Sequence, residues 1–140
     1  MLSISNLLSK FATSFDIKDW QGLEDTLADD IYCNYHDLRD EIRTYSKKDY
    51  VDSRKAALAH LQTQHFFSNL EIHCQGSTTY CRLNALIYRK SRDGKQFNSH
   101  VIYNFILTKT QHNDWKIKEI KQIVLWNEGD PLIHQGLNQV

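Results

Sequence analysis

This chain is short of the residues that interrupt structure. It holds one proline and five glycines in 140 residues, and no Pro-, Gly- or Ser-rich stretch that reads as a linker. That predicts one domain, residues 1–140, with one core. It has three cysteines, Cys33, Cys74 and Cys81. An odd number with no C-x-x-C pair argues against a disulfide framework, so all three are expected to be reduced, buried and apolar in behaviour. A zinc site needs clustered ligands, and neighbouring His73 and Cys74 would point to opposite faces of a strand. No apolar run approaches the roughly 18 residues of a membrane span. The first residues lack a basic region followed by a long apolar stretch, so no secretory signal is expected and the expected location is cytoplasmic. Neither sign of charge is in excess, with 17 basic and 17 acidic residues, which argues against nucleic acid or an anionic membrane as partner. P-loop, G-x-G-x-x-G, G-x-S-x-G and H-E-x-x-H patterns are all missing, so nucleotide, dinucleotide, hydrolase-elbow and zincin readings lack support. No repeat of solenoid period occurs.

What is present is periodicity. Ile4, Leu7, Leu8, Phe11 and Phe15 lie on one face of a helix. Trp20, Leu23 and Leu27 mark a second, shorter helix with Asp16 as a candidate N-cap. Ile31 to Tyr35 has strand composition. Ser46-Lys47-Lys48-Asp49 opens a third helix, with a weak capping box and a stripe through Tyr50, Ala57, Leu58 and Leu61. From Phe66 onward the period changes to two. Strands are expected over 66–74, 78–90, 97–110 and 115–126, with Arg92-Asp93-Gly94-Lys95 as a hairpin turn. Helices followed by a meander of long antiparallel strands predict an α+β domain, a curved sheet wrapped over helices around a conical pocket.

His65, in Thr63-Gln64-His65-Phe66-Phe67, is the leading candidate functional residue. It is placed where a helical segment gives way to the first long strand, and the two phenylalanines after it predict a ring withdrawn from water. A withdrawn imidazole suits a general base or acid near neutral pH; the competing reading is a core histidine bonded to a backbone carbonyl. Asp16 either orients such a histidine or simply caps the second helix. Tyr35 offers a phenol to a ligand or is a buried amphipathic strand residue, with Tyr32 facing the other way. Asn104 is an amide on a strand face shared with His100, Ile102 and Ile106, so it needs a polar partner, ligand or side chain. His100 is a candidate for the same pocket. Trp126 is a candidate for the cavity mouth, with a core or dimer-interface place as the alternative. Lys116, Lys118 and Lys121 read as a solvated face.

Several of these segments, in order, resemble the SnoaL-like group of the nuclear transport factor 2-like superfamily, and in part scytalone dehydratase. They are Ser14 to Trp20, Asn34-Tyr35, Thr63 to Phe66, Asp114 to Ile117 and Trp126 to Pro131. The resemblance implies a cone-shaped α+β fold and a pocket with an aspartate, a water-holding tyrosine pair, two histidines, an asparagine and a serine. Asp16, Tyr35, His65 and Asn104 fall on four of those positions. Phe15 stands where the other tyrosine would be, Ile87 near the second histidine and Ile102 near the serine. The implied activity is proton transfer without a cofactor or metal, as in a dehydratase, isomerase or cyclase, on a small, apolar, oxygenated molecule. His65 and Asp16 would be catalytic, and Tyr35, Asn104, His100, Phe15 and Trp126 would bind substrate. A homodimer through the sheet face is also implied. The alternative is a non-catalytic ligand-binding or subunit-interaction module of the same fold.

Overall fold

The computed structural model describes residues 2–134. Its elements are α1 (Ile4–Asp16), α2 (Trp20–Asp25), β1 (Leu27–Asn34), α3 (His36–Arg39), β2 (Ile42–Ser46), α4 (Lys47–Leu58), β3 (Leu61–Gln75), β4 (Thr78–Ser91), β5 (Phe97–Lys109) and β6 (Trp115–Gly129), followed by a short 3₁₀ turn, Pro131–Ile133. The expected α+β architecture is present, with helices before and beside one sheet. No helix among the described residues is long and apolar enough to cross a membrane.

Local chemistry explains the helix ends. Ser3 caps α1 through Asn6 N–H, and Ser46 caps α4 by accepting from Asp49 N–H at 3.1 Å. The cap of α2 is Asp19, which accepts from Gly22 N–H at 2.9 Å, not Asp16. Asp16 is the last residue of α1. The α1 stripe buries Leu7, Leu8, Phe11 and Phe15.

The sheet has six strands in the order β2-β1-β6-β5-β4-β3. Its pairs are antiparallel except β1 with β6, which is parallel, so the all-antiparallel expectation is corrected at that seam. The strand expected at Ile31 to Tyr35 is β1, which begins already at Leu27, a residue expected in the second helix; α3 and β2 were not foreseen, β2 having a mostly exposed edge pattern that produces no apolar alternation. The first long strand starts at Leu61 rather than Phe66, so His65 lies inside β3 and not at a helix boundary. Bulges bend the long strands: in β3 between Ser68 and Glu71, where Asn69 has φ +55°, and twice between β5 and β6. A bulge tightens twist and turns a flat ribbon into a curled one.

Period two then decides what faces inward. On β4 the buried set is Thr79, Cys81, Leu83, Ala85, Ile87 and Arg89; on β5 it is Phe97, Ser99, Val101, Tyr103, Phe105 and Leu107. Within these sets, the apolar run from Cys81 to Ile87 on β4 and from Val101 to Leu107 on β5 forms the core with the apolar faces of α1 and α4 and with Ile31, Tyr45 and Ile117. The cysteines are free; Cys33 and Cys81 are buried, but Cys74, near the end of edge strand β3, is exposed, contrary to expectation.

Candidate active site

The end of α1 meets edge strand β3 through one carboxylate. Asp16 Oδ2 accepts the backbone N–H of His65 at 2.8 Å, and Asp16 Oδ1 accepts the Thr63 hydroxyl at 3.1 Å. The same Oδ1 lies 2.6 Å from Nδ1 of the His65 ring. A carboxylate in the last turn of a helix opposes the helix dipole; here three hydrogen bonds offset that cost. The His65 side chain is 8% exposed and that of Asp16 17%. Phe15 packs on the imidazole with ring centroids 5.3 Å apart, and Phe67 meets its edge at 6.4 Å. Nδ1–H donated to Asp16 leaves Nε2 as the nitrogen with a free lone pair.

His65 lines a cavity of about 40 Å³ under the curled sheet, together with Phe15, Tyr35, Thr63, Tyr103 and Gln122. Asp16 is not in that lining and stands behind the imidazole. Tyr35 is paired with a second phenol, Tyr50, their hydroxyls 2.8 Å apart. Burial holds both phenols well above their ordinary pKa, so both stay neutral. Gln122 donates from Nε2 to the Tyr103 hydroxyl at 2.9 Å, while its Oε1 is buried without a partner among the described residues.

Three arginines also line this cavity: Arg39 from α3, Arg54 from α4 and Arg89 from β4, all buried. Arg39 lies over the Tyr35 ring at 4.3 Å. Arg54 Nε donates to the Ser53 hydroxyl at 3.3 Å. Arg89 Nη1 donates to Ser99 Oγ at 2.9 Å and to the Phe97 carbonyl at 3.4 Å. Burial, with the positive charge of Arg39 adding to it, pushes the Arg89 guanidinium down to about 10, so it remains a cation at neutral pH.

Of the residues expected from sequence, His65, Asp16, Tyr35 and Phe15 are brought to one place. Asn104, His100 and Trp126 are not. Asn104 lies in a groove with Glu71, Tyr80 and Arg82, away from the His65 cavity. His100 stacks on Trp126 with centroids 4.0 Å apart and pairs with Glu128 at 3.5 Å; Trp126 is 52% exposed. The cause is parity. His100, Ile102, Asn104 and Ile106 share a face, as expected, but it is the outer one. The arginines were missed although two carried a signal: Arg89 continues the inward set after Ile87, and Arg54 sits on the α4 face with Tyr50, Val51, Ala57 and Leu58. Arg39, in a helix of four residues, carried none.

A family model described as a SnoaL-like domain matches residues 1–121. Among solved structures, a protein from Kribbella flavida, Kfla4162, is similar with TM-score 0.86 and 14% identity over 93% of each chain. A candidate scytalone dehydratase from Novosphingobium aromaticivorans has TM-score 0.79 and 15% identity over 89% of this chain and 83% of that one. A hexachlorocyclohexane dehydrochlorinase, LinA-type3, from Novosphingobium barchaimii has TM-score 0.74 and 14% identity over 98% of this chain and 91% of that one. At such identities the likeness is one of fold. No curated protein matches the chain by sequence.

Proposed function

Because the chain belongs to the SnoaL-like domain family, we propose that it is a cofactor-independent lyase or isomerase in which the His65–Asp16 pair moves a proton. The carrying observation is the 2.6 Å contact between His65 Nδ1 and Asp16 Oδ1 beside a cavity that the imidazole lines. Asp16 fixes the tautomer and steadies the imidazolium that forms. Nε2 takes a proton from a substrate carbon. The C–H electron pair becomes a double bond, and a β-leaving group departs with its own pair. In an isomerisation the imidazolium returns the proton to another carbon instead. Tyr35 and Gln122 hold substrate oxygens. Outside the cavity, Phe66, Tyr80, Leu86, Tyr88 and Trp126 leave an apolar outer sheet face exposed, which supports pairing with a second copy there.

The test is incorporation of solvent deuterium into carbon acids, followed by NMR, together with the ultraviolet absorbance of newly conjugated double bonds. Replacing a general base costs about 10² to 10⁴ in rate. His65→Ala is expected to lose that much; a variant within about threefold of the parent would sink the proton-transfer role. The second reading, a non-catalytic binding or subunit-interaction module, is favoured by the narrowness of the cavity, about 40 Å³. Ligand-induced stabilisation with no exchange and no product would establish it.

A further inference from the structure

The cavity wall is cationic to a degree that an apolar substrate does not explain. Arg39, Arg54 and Arg89 are 6%, 8% and 4% exposed, and among the described residues none of them takes part in an ion pair. No Asp or Glu side chain of the described residues lines this cavity, and Asp16, behind the imidazole, is already committed to His65 and Thr63. Burying a cation without a counter-charge is costly, and a protein that keeps three around one cavity is organised for something that brings the negative charge.

The unpaired atoms narrow the choice. Among the described residues, Arg39 Nε and Nη2 are both buried without any acceptor. Those two nitrogens form one edge of the guanidinium, the edge whose parallel N–H bonds match the two oxygens of a planar carboxylate. The same edge is used elsewhere in this molecule. On the surface, Arg82 Nε and Nη2 grip the two oxygens of Glu71 at 2.7 and 3.0 Å. Arg39, stacked on the Tyr35 ring at 4.3 Å, carries the same edge unoccupied in the wall of the cavity. In the same cavity Gln122 Oε1 is the one buried side-chain acceptor without a partner among the described residues.

We propose that the cavity takes a small carboxylate substrate, its carboxylate held edge-on by Arg39 and a hydroxyl or N–H of the same molecule donated to Gln122 Oε1. Arg54 and Arg89 surround that carboxylate with further positive charge. This rests on the cavity being the site of the proposed chemistry, but it concerns what binds there and not what His65 does.

The test uses matched probes on the full chain: propionate and lactate, propionamide and lactamide, and inorganic phosphate, read by thermal shift and calorimetry. The acids are expected to raise the melting temperature and their amides to leave it unchanged. Lactate should bind more tightly than propionate, and Gln122→Met should erase that preference. Arg39→Met should weaken carboxylate binding about tenfold or more, while its own melting temperature stays level or rises, since an unpaired buried cation has been removed. If Arg39→Met does not fold, Arg39→Lys keeps the charge and loses the fork, and the same tenfold weakening is expected. His65→Ala should still bind the acids, which separates this inference from the proton-transfer reading. Equal binding of acid and amide, stronger binding of phosphate than of either acid, no binding of either acid, or unchanged affinity in both Arg39 variants would overturn it.

Discussion

Asp16 carries more than one duty, and its three hydrogen bonds can be separated by substitution. Asp16→Ala removes the acceptor of an edge-strand N–H and of the Thr63 hydroxyl. A buried donor left unpaired costs about 1–3 kcal/mol, so urea denaturation should show a loss of that order. Asp16→Asn keeps an acceptor but not the charge; its stability should fall less while deuterium exchange falls by a factor approaching that of His65→Ala. A parallel fall in both quantities would mean that Asp16 is only a structural tie. At this scale the pair was legible because each residue breaks a local pattern: an imidazole before two phenylalanines, an acid after an apolar stripe. Asn104 was misplaced because both faces of β5 carry apolar residues, Ile102 and Ile106 outside, Val101 and Phe105 inside. Alternation alone does not say which face is the core when the outer face is also apolar.

At the scale of elements, the turn between α1 and α2 sets the direction in which Asp16 leaves its helix. Lys18 there has φ +56°, and Asp19 caps the next helix onto Gly22. A Cβ at Gly22 would stand 2.4 Å from Asp19 Oδ2. Gly22→Ala must therefore displace the capping carboxylate, and a lost cap costs about 1 kcal/mol. A lower melting temperature is expected, with Asp19→Ala and the double variant giving little further loss, because both act on one contact. Long helices and long strands were legible from their periods; α3 and β2 were not, being four and five residues long. Yet α3 brings Arg39 to the cavity, so a part of the site came from the segment with the weakest pattern.

For the molecule as a whole, the outer face of the sheet is the surface most open to a partner. Phe66 and Tyr88 meet edge to face at 5.8 Å, beside the His100–Trp126 stack. Sedimentation is expected to give a dimer, and Phe66→Glu with Tyr88→Glu a folded monomer; a parental chain that sediments as a monomer would end that reading. The general architecture followed from the order of helical and strand periods. The parallel seam did not, since no local pattern in β1 names β6 as its neighbour. That seam has a consequence in time. Cys33 lies beside Ile120 across it, so β1 waits for the last strand to be made before it has a place in the sheet. Tyr35 and Arg39 follow β1, whereas His65 and Arg89 belong to the hairpin at the other edge. Until β6 is made, the two sides of the cavity are joined only through the helices, α1 at the Asp16–His65 contact and α4 by leading into β3. A nascent chain halted before Trp115 would lack the strand that joins β1 to β5 and carries Gln122, so the cavity is without that wall until β6 arrives.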